Sequence, residues 1–140
     1  MELIKVNPLK INHVRNLFVI LARKKFNISH ICLPKYKEHK KFVENHPYRF
    51  WYLIQNEQKY VGTIYLTFEN VIGINIIISS RELYIEAIKA LINSHEPLEE
   101  IKSLRNKCFV INVNPNNKTL IEAIQILGLT HIQNTYIVKI

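Results

Sequence analysis

At 140 residues the chain has the length of one domain, residues 1–140, able to bury a core without disulfides or a metal, and 48% hydrophobic with 21% charged residues excludes disordered and fibrous classes. A formal charge of +8 favours anionic partners such as nucleic acid, nucleotide-like cofactors or acidic surfaces, although richness in Lys, Asn and Ile produces the same bias from an AT-rich coding sequence. Cys32 and Cys108 are too few and too isolated for a disulfide framework, no apolar run is long enough to span a bilayer, and the start "MELIKVNP" lacks a secretory layout, so reduced thiols, no membrane partner and a cytoplasmic location are expected.

In chain order, residues 2–6 predict a short strand, and Asn7 followed by Pro8 predicts a capped helix start. Ile11, Val14, Leu17, Phe18 and Leu21 then share one helical face as far as about Lys25. Residues 26–36 read as a loop around Pro34, and "KEHKKFVEN" as a short helix closed by His46 and Pro47. From Tyr48 the period becomes two, predicting strands "YRFWYLIQ" and "KYVGTIYLTF" joined around residues 56–58 as an antiparallel hairpin. A turn at Glu69 and Asn70 leads to a third strand over residues 71–78.

A polar elbow without glycine, "SSRELY", opens the next helix, on which Ile85, Ile88, Leu91 and Ile92 recur at helical spacing. Pro97 starts a further turn or two with Leu98, Ile101 and Leu104, and "CFVINV" reads as a compact strand. Asn117 can cap a last helix with Leu120, Ile124 and Leu127 inward and Gly128 at its end. "THIQNTYIVKI" is the final strand expected. Helices interleaved with an antiparallel front half and a crossover in the back half imply a mixed sheet in an α/β or α+β domain.

The elbow matters because the first amides of a helix lack partners inside it and can hold phosphate groups. No zinc pattern emerges from His13, His30, His39, His46, His95 and His131, so no metal is expected. Nor is there a Gly-x-Ser-x-Gly elbow or a cysteine-hydrolase signature. The basic runs "ARKKF" and "KYKEHKK", with aromatics nearby, leave nucleic-acid contact as an alternative to a solvated face.

Three stretches in this order, "YVGTIYL" around Gly62, "VIGINIIISS" leading into the elbow, and "NKTLIEAIQILGL" from Asn117, resemble the GNAT superfamily of acetyl-coenzyme A dependent N-acetyltransferases. The resemblance covers nearly the whole chain. It implies a central, mostly antiparallel sheet flanked by helices. It also implies acetyl-coenzyme A as acyl donor and a primary amine on an unidentified small molecule or peptide as acceptor. Ile76, Ile77 and Ile78 would pair through their backbones with the pantetheine arm. Ser79, Ser80, Arg81, Glu82, Leu83 and Tyr84 would form the pyrophosphate elbow, and Asn117 would meet the cofactor or act as a plain cap. Residues 26–48 would line the acceptor side, and the chain would be a monomer or homodimer.

The sequence departs from that family at two points. The elbow "RELYIEA" keeps Arg81 but has no glycine, and a negative charge at Glu82 opposes phosphate. Ile124 stands where many members carry a proton-donating tyrosine, which leaves Tyr84, Tyr136 or water for the departing thiolate. Glu69 and His131 are the candidate general bases. Two other readings follow: a GNAT-like fold that has lost catalysis and serves as a binding or assembly module, and a basic nucleic-acid binder.

Overall fold

The computed structural model describes residues 1–27 and 32–139. Among them the chain forms β1 (Glu2–Lys5), α1 (Ile11–Ala22), α2 (Tyr36–Glu44), β2 (Phe50–Asn56), β3 (Lys59–Leu66), β4 (Val71–Ile76), α3 (Arg81–Ser94), β5 (Val110–Ile111) and α4 (Lys118–Leu127). The five strands make one mixed sheet in sequence order, antiparallel from β1 to β4 and parallel between β4 and β5, which makes the domain α+β.

Each face of the sheet buries a separate core. On one face α3 and α4 bring Leu83, Ala87, Ile88, Leu91, Leu120 and Ala123 against Ile54, Ile64, Leu66, Ile72 and Ile76. On the other, α1 and α2 bring Val14, Leu17, Ile20 and Val43 against Trp51 and Leu53. Alternation along the strands sorts these residues, since successive side chains point to opposite faces.

Several elements differ from expectation. The first helix begins at Ile11 and not beside Pro8, because Asn7 Oδ1 accepts from the Leu9 amide at 3.0 Å and closes a turn instead of capping the helix. Its buried stripe is His13, Val14, Leu17 and Ile20, while Ile11 is exposed. The Asn7 amide donates to His13 Nδ1 at 2.9 Å, and this bond lets a histidine occupy the inner face. Residues after Pro97 form a turn bridged between Ile101 and Arg105. The third strand ends at Ile76, two residues early.

No last strand forms. Residues 130–139 are exposed throughout and without regular structure, and Ile140 lies outside the described residues. A run with strand propensity needs a ladder to join, and β5 pairs over only two residues.

The hairpin between β2 and β3 turns on Glu57 and Gln58, both left-handed at φ 50° and 63°. This is the backbone of a two-residue turn that favours Asn-Gly, here built from residues that pay for positive φ. Gln58→Gly should therefore raise unfolding free energy by about 0.5–1 kcal/mol in urea titration; an unchanged or lower midpoint would contradict the argument.

Gly62 pairs with Ile76, and a Cβ there would press to 2.5 Å from the Asn75 carbonyl oxygen. Its bare backbone lets the end of β4 lie close on β3. Gly73 leaves room for the Tyr65 ring, which lies across it.

Candidate functional site

The direction of the backbone groups along β4 follows from three bonds. Ile77 N donates to Val61 O at 2.9 Å and Thr67 N donates to Val71 O at 2.9 Å, so odd-numbered residues of β4 face β3. Val110 N donates to Asn70 O at 3.0 Å, so even-numbered residues face β5. β5 pairs only at Val71 and Ile72 and then diverges. The amides and carbonyls of Ile74 and Ile76 are thereby turned toward a gap with no strand on its far side among the described residues.

Around that gap lies a cleft of about 450 Å³. Tyr84, Leu120 and Asn117 line it from the α3 and α4 side, and Leu17, Ile20 and Tyr65 from the α1 and α2 side. Residues 71–76 of β4 and Asn112 and Asn114 beyond β5 stand between. It reaches both faces of the sheet beside a strand edge whose hydrogen-bonding groups are unspent.

The start of β4 is anchored by Asn70, fully buried and left-handed at φ 64°. Its Oδ1 accepts from Leu98 N at 2.8 Å, and its Nδ2 donates to Leu98 O at 3.0 Å and Asn106 O at 2.9 Å. One side chain thus ties the long connection after α3 to the start of β4, and its carbonyl sets the register of β5.

On the α1 and α2 side, Tyr48 and Tyr65 stack with centroids 3.9 Å apart. Burial pushes both phenols above the ordinary tyrosine range, so both stay neutral. Trp51 Nε1 donates to Thr63 Oγ1 at 2.7 Å, which fixes the indole in the wall. His39 is buried, and its Nε2 lies 3.2 Å from Val14 O. A carbonyl only accepts, so Nε2 carries the hydrogen and Nδ1 keeps its lone pair. Burial, partly opposed by this bond, lowers the pKa of His39 and keeps the ring neutral.

The expected site residues divide. Tyr84 lines the cleft, only 4% exposed, and its hydroxyl makes no hydrogen bond among the described residues. Asn117, 7% exposed, also lines it while its Oδ1 caps α4 by accepting from Leu120 N at 3.2 Å. Ile76 lies at the gap, whereas the Ile77 amide is spent on β3 and the Ile78 side chain is exposed. Glu69 is exposed in the turn before β4 and His131 is exposed with Nε2 2.7 Å from Gln133 O; neither lines the cleft.

The elbow stands outside the cleft lining except through Tyr84. Ser80 Oγ caps α3 by accepting from Leu83 N at 3.3 Å, and Ser79 Oγ lies 3.4 Å from Thr119 Oγ1. Leu83 is buried in the core, so it does not obstruct the elbow. The amides of Ser79, Ser80, Arg81 and Glu82 have no partner among the described residues, the ordinary condition of a helix start. Arg81 is shared between Glu82 at 3.4 Å and Glu122 at 3.5 Å, all three exposed. Two carboxylates against one guanidinium leave this elbow net negative. A diphosphate held at this elbow should therefore bind Glu122→Gln about two- to fivefold more tightly at low salt, read by calorimetry, with the gain shrinking as salt rises. Weaker binding in the variant would count against a phosphate at this elbow.

His39, Asn70, Lys24 and the tyrosine stack were not singled out by sequence reasoning. Two left traces: His39 precedes Val43 by four, on the inward face of α2, and Asn70 falls in the turn expected before the third strand. Among the described residues no group of three or more His, Cys, Asp or Glu side chains is placed to hold a metal, and no helix is long and apolar enough to cross a membrane. His30 lies outside the described residues. Searches of protein-family models, curated proteins and solved structures return no match to the chain.

Proposed function

We propose that the chain is an N-acyltransferase with a GNAT-like arrangement, moving an acetyl group from acetyl-coenzyme A to a primary amine. The observation that carries this reading is the free edge of β4 at Ile74 and Ile76 inside a cleft open to both faces of the sheet. An extended thioester arm needs strand-like hydrogen bonds along its length, and an unpaired parallel edge offers them. Acyl transfer also needs a fixed donor aimed where negative charge gathers on the carbonyl oxygen, and a backbone amide facing the gap meets that need without reorganisation.

The roles left to side chains follow from the lining. His39 Nδ1, neutral and without a partner among the described residues, takes the proton that the attacking amine gives up, directly or through water. The Tyr84 hydroxyl supplies a proton to the leaving sulfur and replaces the acid that Ile124 cannot provide. Coenzyme A itself contributes the activated thioester; the chain orients it and excludes water.

Calorimetry with acetyl-coenzyme A should give saturable one-to-one binding, and a thiol-release assay should respond to added primary amines. No binding at millimolar concentration would overturn the proposal. Tyr84→Phe should lower kcat about 10²-fold with little change in acetyl-coenzyme A affinity; an equal loss in binding would assign the tyrosine to packing.

A second reading has one observation in its favour. The elbow has no glycine and Arg81 is neutralised by Glu82 and Glu122, which suits a GNAT-like binding module that no longer transfers acyl groups. Binding of acetyl-coenzyme A without amine-dependent thiol release across a broad amine panel would favour it.

A further inference from the structure

Lys24 follows α1 and lines the cleft. It is half-buried, and burial lowers its pKa, yet none of the ion pairs among the described residues includes it. The bland role for a lysine here is to satisfy the last carbonyls of the helix. Three of the last four carbonyls are already occupied: Val19 O accepts from Arg23 N at 3.0 Å, Ile20 O from Asn75 Nδ2 at 3.3 Å, and Leu21 O from Lys24 N at 3.2 Å. Among the described residues no buried side-chain nitrogen lacks a partner, so the Lys24 ammonium, which makes no hydrogen bond there, is reached by solvent while its stem is partly covered.

We infer that the acceptor amine carries a carboxylate, received by Lys24, and an apolar or aromatic body held against the Tyr48 and Tyr65 stack: an amino-acid-type acceptor. This rests on the transferase reading and names its substrate class. A half-desolvated cation with no ion-pair partner among the described residues, the Glu38 carboxylate of the same lining included, carries a cost that an anionic ligand removes. Lys24, Lys25 and Glu38 give the lining a net charge of +1, which, beside neutral amides such as Asn75, matches a singly charged carboxylate better than a doubly charged phosphate, which draws several donors or a guanidinium fork. Phe26, Phe42, Trp51 and the tyrosine pair give this part of the lining an apolar, aromatic character that suits a ring or a branched chain. A cleft of about 450 Å³ fits a small molecule and an acyl arm.

The test compares acceptors that differ in a single group. In a thiol-release assay with acetyl-coenzyme A, phenylalanine should exceed phenethylamine and phenylalaninamide in kcat/KM by about tenfold or more. Lys24→Met should erase that preference by raising KM for phenylalanine about tenfold, leaving phenethylamine turnover and acetyl-coenzyme A affinity unchanged. A preference for phenethylamine, or an equal loss for all three amines, would overturn the inference. O-Phosphoethanolamine exceeding ethanolamine by more than phenylalanine exceeds phenethylamine would overturn the choice of carboxylate over phosphate.

Binding of the products separates the inference from the reading it rests on. N-Acetylphenylalanine should bind the wild type by calorimetry, and neither Lys24→Met nor N-acetylphenethylamine should show comparable affinity. If acetyl-coenzyme A fails to bind while this discrimination holds, the transferase reading falls and the carboxylate site stands. If acetyl-coenzyme A binds and products bind alike with or without the carboxylate, the carboxylate site falls alone.

Discussion

Asn70→Ala is expected to lower the unfolding free energy by about 3–5 kcal/mol in urea titration, the largest loss among the substitutions considered. The side chain is fully buried and makes three hydrogen bonds, to Leu98 N, Leu98 O and Asn106 O. Truncation leaves one amide and two carbonyls without partners where water is scarce, and each unsatisfied group costs about 1–3 kcal/mol less any relaxation. Alanine also adopts φ near 64° at a cost of about 1 kcal/mol, which asparagine bears more easily.

Asn70→Gly separates the two contributions, since glycine removes the bonds but tolerates the backbone. It should recover about 1 kcal/mol of the loss and no more. Because the Asn70 carbonyl also receives Val110 N and sets β5 beside β4, acetyl-coenzyme A affinity should fall in both variants even where they remain folded. A loss below about 1 kcal/mol in Asn70→Ala would mean that water or a shifted loop replaces the side chain.

His39→Gln is expected to lower kcat by about 10²- to 10⁴-fold while acetyl-coenzyme A still binds, measured by thiol release and calorimetry. Glutamine can donate to Val14 O as His39 Nε2 does, so packing is largely kept while the basic nitrogen is lost. In the wild type, kcat/KM should fall with a single acid limb at a pH below the ordinary imidazole value, because burial lowers the pKa of His39. Loss of that limb in His39→Gln identifies the base; a limb that persists assigns it elsewhere.

The same shift links to stability. The folded pKa of His39 is depressed, so the unfolded chain takes up the proton first as pH falls. Its contribution is intact above the unfolded value near 6.5 and is lost as pH drops through the folded value. His13, His46 and His95 are shifted the same way, chiefly by burial, so the four should add to a destabilisation on mild acidification. Stability that holds steady between pH 7 and pH 5 would contradict this burial.

The amino-acid sequence by itself determined the succession of elements: helical stripes, strand alternation, Ser80 and Asn117 as polar residues before helices, and Gly128 in its left-handed stop at φ 71°. Such signals act within a few residues, where periodicity and capping chemistry are legible. The last strand was misread for the same reason: "TYIVKI" has the propensity, but pairing depends on an edge far away in sequence, and β5 offers two residues.

The tertiary structure alone decided the site. The gap beside Ile74 and Ile76 exists because β5 diverges after Ile72, a relation between segments about forty residues apart. His39, Lys24, Tyr48, Tyr65 and Tyr84 come from five different elements or loops and meet only when both helical layers close on the sheet. Glu69 and His131 had suitable chemistry and unsuitable positions, because a side chain's role depends on the cavity it reaches and sequence spacing does not encode that distance.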